Sequence, residues 1–173
     1  TVGGEQALLS APWFEKSEYI VRLQRIQAEL VALRLDGILL FQPESITWLT
    51  GFYTRGYASF QFVAVPKSGE PSICCRDVEE FHLDQTSVFE DRALWTDSDQ
   101  PEAIGANMIK EKFGASSKLG LELSAWTLNV ARFSLLEHFL SSTTFIDKSD
   151  LCANMRLIKS KAEIELMRRA AVA

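Results

Sequence analysis

The stretch Asp36-Gly37-Ile38-Leu39-Leu40-Phe41-Gln42-Pro43 decides how the surrounding sequence is interpreted. Its centre, residues 38–41, is wholly apolar, and such a short run predicts a strand that is covered on both faces of a sheet. The Asp36-Gly37 pair ends the segment before it, and Pro43 stops the strand. We therefore expect a β-strand in the interior of a sheet, with helical segments before and after it in the chain.

The segment before this strand predicts an amphipathic helix that buries one face. Ser17 is placed to cap its first turn, and residues 1–14 predict an irregular arm. Charged residues such as Arg22 lie off the apolar stripe and are expected on the solvent side. The stripe consists of Ile20, Leu23, Ile26, Leu30 and Leu33.

The segment after the strand predicts a short helix and then a hairpin. Pro43 lies in the first turn of a helix over residues 43–50, and Gly51 suits its C-terminus. Residues 59–76 predict a β-hairpin, because two apolar strands flank a turn that contains proline and glycine.

Strands and helices alternate along the chain from there. Asp77 and Ser124 are placed to cap helices, and Gly114 to close one. The expected helices are 77–83, 102–113 and 124–139, and the expected strands are 93–96, 118–122 and 143–147. This order predicts an α/β fold with a mixed central β-sheet of about five to six strands and helices on its faces.

The C-terminal residues indicate how the chain is organised. Ser160-Lys161-Ala162-Glu163 is a capping box, and the helix that it begins continues through Met167 to Ala173 without a C-cap. We expect residues 1–155 to form the α/β domain and residues 156–173 to begin a linker helix toward a catalytic domain. The chain is thus expected to be the first part of a longer protein.

Composition excludes several classes of function. The 173 residues are 47% hydrophobic and 24% charged, which is typical of one globular domain. The net charge is −5 and no basic patch is present, so nucleic-acid binding is not expected. No apolar window is long enough for a membrane span, and the first residues lack the features of a signal peptide. We expect a cytoplasmic protein without nucleic-acid or membrane partners.

The three cysteines leave one alternative open. Cys74 and Cys75 are adjacent and Cys152 lies far along the chain, which does not fit a disulfide framework. We expect buried or half-buried free thiols in a reducing compartment. The alternative is a thiol enzyme that uses Cys74 or Cys75 as its nucleophile.

The residues alone do not form a catalytic constellation. The two histidines, His82 and His138, lack the spacing of a metal site, and both are expected on helix surfaces. The glycines form neither a nucleophile elbow nor a phosphate-binding loop. The chain is therefore not expected to catalyse a reaction by itself.

The segment Gly51–Tyr57 carries groups that recognise ligands. Arg55 can hold a carboxylate through two parallel hydrogen bonds. Tyr53 and Tyr57 each offer an apolar ring with a hydroxyl, and two glycines allow the backbone to turn sharply. The alternative is a loop that packs its aromatic rings on the sheet and leaves Arg55 in water.

Five motifs occur in order along the chain. They are Ser17-Glu18-Tyr19 with Arg22 and Leu23, Leu35–Leu40, Ile46–Phe52, Val65–Pro71 and Met155–Ile164. Their order and spacing resemble the N-terminal domain of the creatinase/prolidase family, which includes Xaa-Pro aminopeptidases and proline dipeptidases. The resemblance covers roughly residues 14–173.

The resemblance implies that catalysis takes place on another domain. In the family, such an α/β domain precedes a "pita-bread" catalytic domain, and in the metallopeptidases two aspartates, a histidine and two glutamates hold two metal ions there. None of these ligands maps onto this chain, and neither His82 nor His138 replaces one. The resemblance thus implies an inactive fragment without a cofactor, from a metallo-hydrolase with two divalent ions (Mn, Co or Zn), most simply an Xaa-Pro peptidase.

The resemblance also implies a homodimer and a role at the rim of a substrate site. That site would belong to the catalytic domain of the same or a partner chain. Arg55 would clamp an anionic group, and Tyr53 or Tyr57 would form an aromatic wall. Gln61 and Arg76 are further candidates whose strand faces the sequence leaves open. The expected substrate is a small peptide or an amidino- or amino-acid-like compound.

Two other functions stay open from the sequence. One is a standalone module that dimerises or binds a small ligand. The other is a domain of a relative that hydrolyses creatine or ectoine, or that acts as a lyase on sulfonium compounds. Likeness of fold does not decide among these reactions.

Overall fold

The computed structural model describes residues 12–172. Most of the predicted irregular arm, residues 1–11, lies outside the described residues, as does the predicted helix end at Ala173. None of the helices in the described range is long and apolar enough to cross a membrane.

Seven α-helices and six β-strands make up the described part of the chain. The helices are α1 Lys16–Ala32, α2 Pro43–Thr50, α3 Glu80–Thr86, α4 Pro101–Phe113, α5 Val130–Phe139, α6 Ser149–Leu157 and α7 Lys161–Ala170. The strands are β1 Gly37–Leu40, β2 Phe62–Pro66, β3 Ser72–Arg76, β4 Arg92–Trp95, β5 Lys118–Leu121 and β6 Thr144–Asp147. A 3₁₀ turn, Asp77–Glu79, precedes α3.

Strand β1 lies inside a mixed six-stranded sheet, which confirms the predicted fold class. The strand order in the described sheet is β4-β3-β2-β1-β5-β6. Strand β1 is antiparallel to β2 and parallel to β5, and the predicted hairpin is the antiparallel pair β2–β3. The pairs β3–β4 and β5–β6 are parallel. The ends of β1 and β5 and the start of β2 therefore lie at the same edge of the sheet.

Two apolar cores lie on opposite faces of this sheet. Side chains alternate along β1, so Ile38 and Leu40 belong to one core, and Leu39 and the following Phe41 belong to the other. All four residues are at most 1% exposed, which confirms the predicted burial on both faces. Helices α1, α2, α3 and α6 contribute to the first core, and α4 and α5 to the second.

A buried carboxylate joins the end of β5 to the start of α2. Glu122 is 1% exposed, and its Oε2 accepts hydrogen bonds from the backbone N–H groups of Phe41 (2.9 Å) and Gln42 (2.8 Å). Its Oε1 accepts a hydrogen bond from the hydroxyl of Ser45 (2.6 Å). Burial raises the pKa of Glu122, while the three donors act in the opposite direction. Because Gln42 gives α2 no side-chain cap, this carboxylate fixes the start of the helix.

The predicted caps at two helices are wrong. Glu15 is the N-cap of α1, so Ser17 lies inside the first turn. Asp77 lies inside the 3₁₀ turn that precedes α3, and Glu79 is the N-cap residue of that helix. A polar residue ahead of an apolar stripe marks only the approximate start of a helix, because the neighbouring elements determine where the backbone begins to coil.

The predicted cap at Ser124 is also wrong. Helix α5 begins at residue 130, and Asn129 caps it by accepting a hydrogen bond from the backbone N–H of Arg132 (3.0 Å). Ser124 lies in an irregular turn ahead of the helix. The hydroxyl of Thr127 donates to the backbone carbonyl of Phe41 (2.8 Å), which holds that turn against the end of β1.

Helix α6 is absent from the sequence prediction. Its residues Leu151 and Cys152 are buried in the first core, and the helix runs across the predicted domain boundary after residue 155. The division into two domains stays a prediction. The capping box of Ser160 and Glu163 is confirmed, with both of its hydrogen bonds present at the start of α7.

We expect Glu122→Ala to lower the free energy of unfolding by about 3–5 kcal/mol, because three buried donors lose their acceptor. Glu122→Gln should cost less, about 1–2 kcal/mol, because the amide oxygen can still accept from the two backbone N–H groups. Urea unfolding measures both. Glu137→Ala, at an exposed position of α5, is the control and should stay within about 0.5 kcal/mol. Equal stability of Glu122→Ala and the control would contradict this role of Glu122.

Candidate functional site

A cleft of about 660 Å³ lies at the edge of the sheet where β1 ends and β2 begins. Its walls come from α2, from the loop at residues 51–61, from the turn before α5 and from α7. Aromatic and charged side chains both line it. A cleft of this size suits a small-molecule ligand.

Two pairs of aromatic rings line the cleft. The rings of Tyr57 and Trp126 meet edge to face with centroids 5.8 Å apart, and those of Trp13 and Tyr53 lie 5.6 Å apart. Tyr57 is 46% exposed and Trp126 is 58% exposed, so a ligand or another protein surface can reach them. Both tyrosines that the sequence offers as an aromatic wall therefore lie in the cleft.

Hydrogen bonds fix the loop that carries these tyrosines. The backbone N–H of Tyr53 donates to the hydroxyl of Thr86 (3.1 Å). The hydroxyl of Thr54 donates to the buried carboxylate of Glu79 and accepts from the backbone N–H of Gly56 (2.8 Å). A Cβ atom at residue 56 would collide with that carboxylate, so the close approach requires glycine. The loop is thereby held against the 3₁₀ turn and α3.

Gln61 brings a buried polar group to the cleft. It directly precedes β2, is 2% exposed and lines the cleft. Within residues 12–172 its Oε1 has no hydrogen-bond partner. A buried acceptor without a partner costs about 1–3 kcal/mol. The sequence does not show on which side of the sheet Gln61 lies. In the structure, Gln61 lies on the side that lines the cleft.

The two arginines among the predicted site residues lie elsewhere. Arg55 is exposed and is not part of the described cleft lining. Arg76 pairs with Asp97, and its guanidinium carbon lies 6.0 Å from the centre of the Trp95 ring, at the second core. The structure brings the two tyrosines and the glutamine together and separates both arginines from them. The substrate-binding roles of all five residues stay predictions.

An arginine that the sequence places on the solvent side is instead buried beside the cleft. Arg22 is 2% exposed, and its Nη1 donates to the backbone carbonyl of Trp48 (2.6 Å). Its Nε and Nη2 donate to Oε1 of Glu18 (3.2 and 3.0 Å), and Nη2 lies 3.3 Å from Oε1 of Glu163. The sequence signal for this ion pair is the i,i+4 spacing of Glu18 and Arg22. The same spacing also occurs on exposed helix faces, so it does not indicate that Arg22 is buried.

The carboxylate of Glu163 holds α7 against this wall. Its Oε2 accepts a hydrogen bond from the backbone N–H of Ser160 (2.7 Å) in the capping box. Its Oε1 accepts one from Nε1 of Trp48 (2.9 Å) and faces Arg22. The described residues of α7 are all at least partly exposed, so apolar burial contributes little to its position. The wall that includes Met167 therefore depends on Glu163.

A half-buried cation also lines the cleft. Arg156 follows the buried part of α6, and among the described residues its guanidinium makes no hydrogen bond or ion pair. Its positive charge lies near enough to Glu122 to oppose the rise in the pKa of that carboxyl that burial causes. The neighbouring Lys159 directs its ammonium to the backbone carbonyls of Arg156 and Leu157. Arg156 is thus the more available cation for a ligand.

The described residues do not fit a metal centre. Across residues 12–172, no three His, Cys, Asp or Glu side chains are grouped so that they could hold an ion. His82 packs against Phe81 and His138 against Phe139, with ring centres 5.7 and 5.5 Å apart. The two-metal centre that the resemblance implies has no ligand set among these residues.

The three cysteines are buried free thiols, as the sequence predicts. Cys74, Cys75 and Cys152 are all 0% exposed. Burial raises the pKa of each thiol, that of Cys75 to about 12. Because the thiolate is the nucleophilic form, this environment disfavours the thiol-enzyme alternative.

Several known proteins are similar to this chain. The profile of the Creatinase/Prolidase N-terminal domain matches residues 22–158. An uncharacterised hydrolase/peptidase of Sinorhizobium fredii is 27% identical over 168 residues, which cover 91% of this chain and 43% of the relative. The ectoine hydrolase of Halomonas elongata is 23% identical over 166 residues, which cover 91% of this chain and 42% of the enzyme.

A solved structure shares the fold. The prolidase from Thermococcus sibiricus superposes with a TM-score of 0.73 at 25% identity, over 85% of this chain and 39% of the prolidase chain. This chain therefore spans about two fifths of the length of each of these three proteins.

We expect Glu163→Ala to speed amide hydrogen exchange across residues 161–170 by about tenfold, because the carboxylate loses its bonds to Ser160 and Trp48 and its contact with Arg22 together. Exchange followed by mass spectrometry measures this. Glu165→Ala is the control on the same helix, since Glu165 makes an exposed ion pair with Arg168. Equal exchange rates in the two variants would show that Glu163 does not hold α7.

We expect a thiol reagent such as dithionitrobenzoate to label the folded chain at pH 8 at least about a hundredfold more slowly than the chain unfolded in guanidinium, because the thiols are buried and protonated. The absorbance of the released thionitrobenzoate measures both rates. Fast labelling of Cys74 or Cys75 in the folded chain would instead support a thiol enzyme.

Proposed function

Because the chain belongs to the creatinase/prolidase N-terminal domain family, we propose that it is the non-catalytic N-terminal domain of a metal-dependent hydrolase, most simply an Xaa-Pro peptidase. The cleft is the observation that carries this proposal. Its lining offers aromatic rings and polar groups that bind and orient a ligand, and neither a histidine nor a cysteine is among the lining residues that the structure describes. The peptidase and prolidase names of similar proteins support the class of the parent enzyme.

The proposed contribution of the chain is to orient a substrate whose chemistry takes place on another domain. Tyr53 and Tyr57 supply aromatic surfaces against which the substrate lies. Arg55, exposed on the same loop, can reach beyond the chain and clamp a carboxylate held by a neighbouring domain. Binding energy from such groups raises the reaction rate when it fixes the geometry of the reacting bond.

The proposal includes a homodimer in the cytoplasm, in which the loop at residues 51–61 borders the catalytic domain of the same or a partner chain. Two divalent ions, Mn, Co or Zn, would be held by the residues of that catalytic domain. The part played by this chain is limited to binding and orientation. Its loop is suited to that part because its bonds to Thr86 and Glu79 hold it in place.

A second candidate is a hydrolase that acts on a small amino-acid derivative. It is favoured by the similarity to the ectoine hydrolase of Halomonas elongata, which extends over 91% of this chain. The same cleft would serve a compact substrate, because its volume of about 660 Å³ lies within the usual range for small-molecule sites.

The proposal is tested by reading the coding sequence beyond residue 173 and assaying the protein that it encodes. We expect the longer protein to hydrolyse the dipeptide Leu-Pro and the 173-residue chain to leave it intact. In the longer protein, Arg55→Ala should raise KM about tenfold with a smaller change in kcat, because a charge-assisted contact to bound substrate is lost. Lys110→Ala, exposed on α4, is the control.

Hydrolysis of Leu-Pro by the isolated chain, freed of contaminating peptidases, would contradict the proposal. So would a reading frame that ends close to residue 173. Cleavage of ectoine without cleavage of Leu-Pro would favour the second candidate.

A further inference from the structure

We propose that α7 is a hinged arm that forms one wall of the cleft, and that the carboxylate of Glu163 is the latch that holds this arm in place. When the latch releases, the helix swings about residues 158–160 and the cleft opens on that side. Such a motion belongs to the chain itself and requires neither a catalytic domain nor a bound substrate.

The attachment of α7 to the domain depends little on apolar burial. None of the described residues of this helix is buried, and its apolar side chains Ile164 and Met167 are 39% and 58% exposed. The preceding helix α6 differs, because its residues Leu151 and Cys152 lie in the first core. Elements that move are drawn from those with few buried apolar contacts. Helix α7 has this property and α6 does not.

The contacts that hold α7 converge on one carboxylate. Among the described residues, the hydrogen bond and the ion pair that join α7 to the rest of the domain both end on Oε1 of Glu163. That oxygen accepts from Nε1 of Trp48 (2.9 Å) and lies 3.3 Å from Nη2 of Arg22. The other oxygen, Oε2, accepts from the backbone N–H of Ser160 and therefore moves with the helix.

Release of the latch leaves no buried charge unmatched. Arg22 keeps its ion pair with Glu18 (3.0 Å) and its hydrogen bond to the backbone carbonyl of Trp48 (2.6 Å). Trp48 lines the cleft, so its Nε1–H can donate to water once the wall has moved away. The large penalty for a broken buried ion pair is thereby avoided, and the docked and released positions are close enough in free energy to exchange.

Residues 158–160 have the features of a hinge. Helix α6 ends at Leu157, and its C-cap residue Ile158 has an extended backbone (φ −94°, ψ 108°). These two side chains are 73% and 80% exposed. In the described chain, no backbone–backbone hydrogen bond joins residues 158–160 to an element other than α7. A few residues of this kind can absorb the change in φ and ψ that a hinge requires.

The wall on the other side of the cleft is fixed. Leu166 and Met167 line the cleft from α7, and Tyr53 and Tyr57 line it from the loop at residues 51–61. Hydrogen bonds to α3 and to the turn before it hold that loop. Release of α7 therefore widens the cleft and leaves the two tyrosines in place.

Distances between two spin labels test this motion in the 173-residue chain. The labels are attached at Arg168→Cys, whose native side chain is 75% exposed, and at Glu137→Cys on α5, while the three native thiols are buried. We expect one main distance for the docked helix and a minor second distance for the released helix. Glu163→Gln should raise the ratio of the second population to the first about tenfold, because the charge that faces Arg22 is lost while glutamine keeps the capping box.

Two further variants separate the latch from other effects. Glu165→Gln is the matched control, because it removes a carboxylate from the exposed side of the same helix, and it should leave the ratio unchanged. Trp48→Phe removes the Nε1–H donor and should also raise the ratio. Combined with Glu163→Gln it should add little, because both substitutions break the same contact.

Equal ratios in Glu163→Gln and Glu165→Gln would overturn the latch. A single distance in every variant would overturn the hinge. A broad distribution of distances, together with a loss of helical circular dichroism, would also overturn the hinge, because it would show that α7 unfolds and does not swing. None of these outcomes depends on the peptidase assay, since no substrate is present.

Discussion

The buried guanidinium of Arg22 is the constraint on which the arrangement of the cleft depends. A buried cation is tolerated only when its charge and its donors are matched. The partners of Arg22 come from three helices: Glu18 on α1, the carbonyl of Trp48 on α2 and Glu163 on α7. Aromatic rings 4.5 to 5.3 Å from the guanidinium carbon add further attraction. The position of α7, and with it one wall of the cleft, follows from satisfying this one charge.

The acidic groups around the cleft act mainly as fixed acceptors for the backbone and for hydroxyl groups. Glu122 holds the start of α2, Glu79 holds the loop through Thr54, and Glu163 caps α7. Each is occupied by contacts within the fold. Among residues 12–172, the polar side chains of Glu44, Tyr53, Tyr57 and Arg156 line the cleft without a hydrogen bond or ion pair of their own. A domain built in this way is suited to the binding and orienting role that we propose for this member of the creatinase/prolidase N-terminal domain family.

Features that depend on local sequence could be predicted, and features that depend on distant contacts could not. The bounds of α2 match the prediction because Pro43 and Gly51 act on their own segment, and Gly51 adopts the left-handed conformation (φ 79°) of a helix end. The burial of Arg22 depends on α7, far along the chain. The side of the sheet on which Gln61 lies depends on where β2 enters the sheet. Helix α6 was not predicted, and its position depends on the burial of Leu151 and Cys152 among distant elements of the first core.

A crystal structure of the longer protein with bound Leu-Pro tests the central claim most directly, because it shows whether the cleft of this domain contacts the ligand. The account predicts that the peptide lies against the rings of Tyr53 and Tyr57 in the cleft. A peptide bound without contact to this cleft would contradict it.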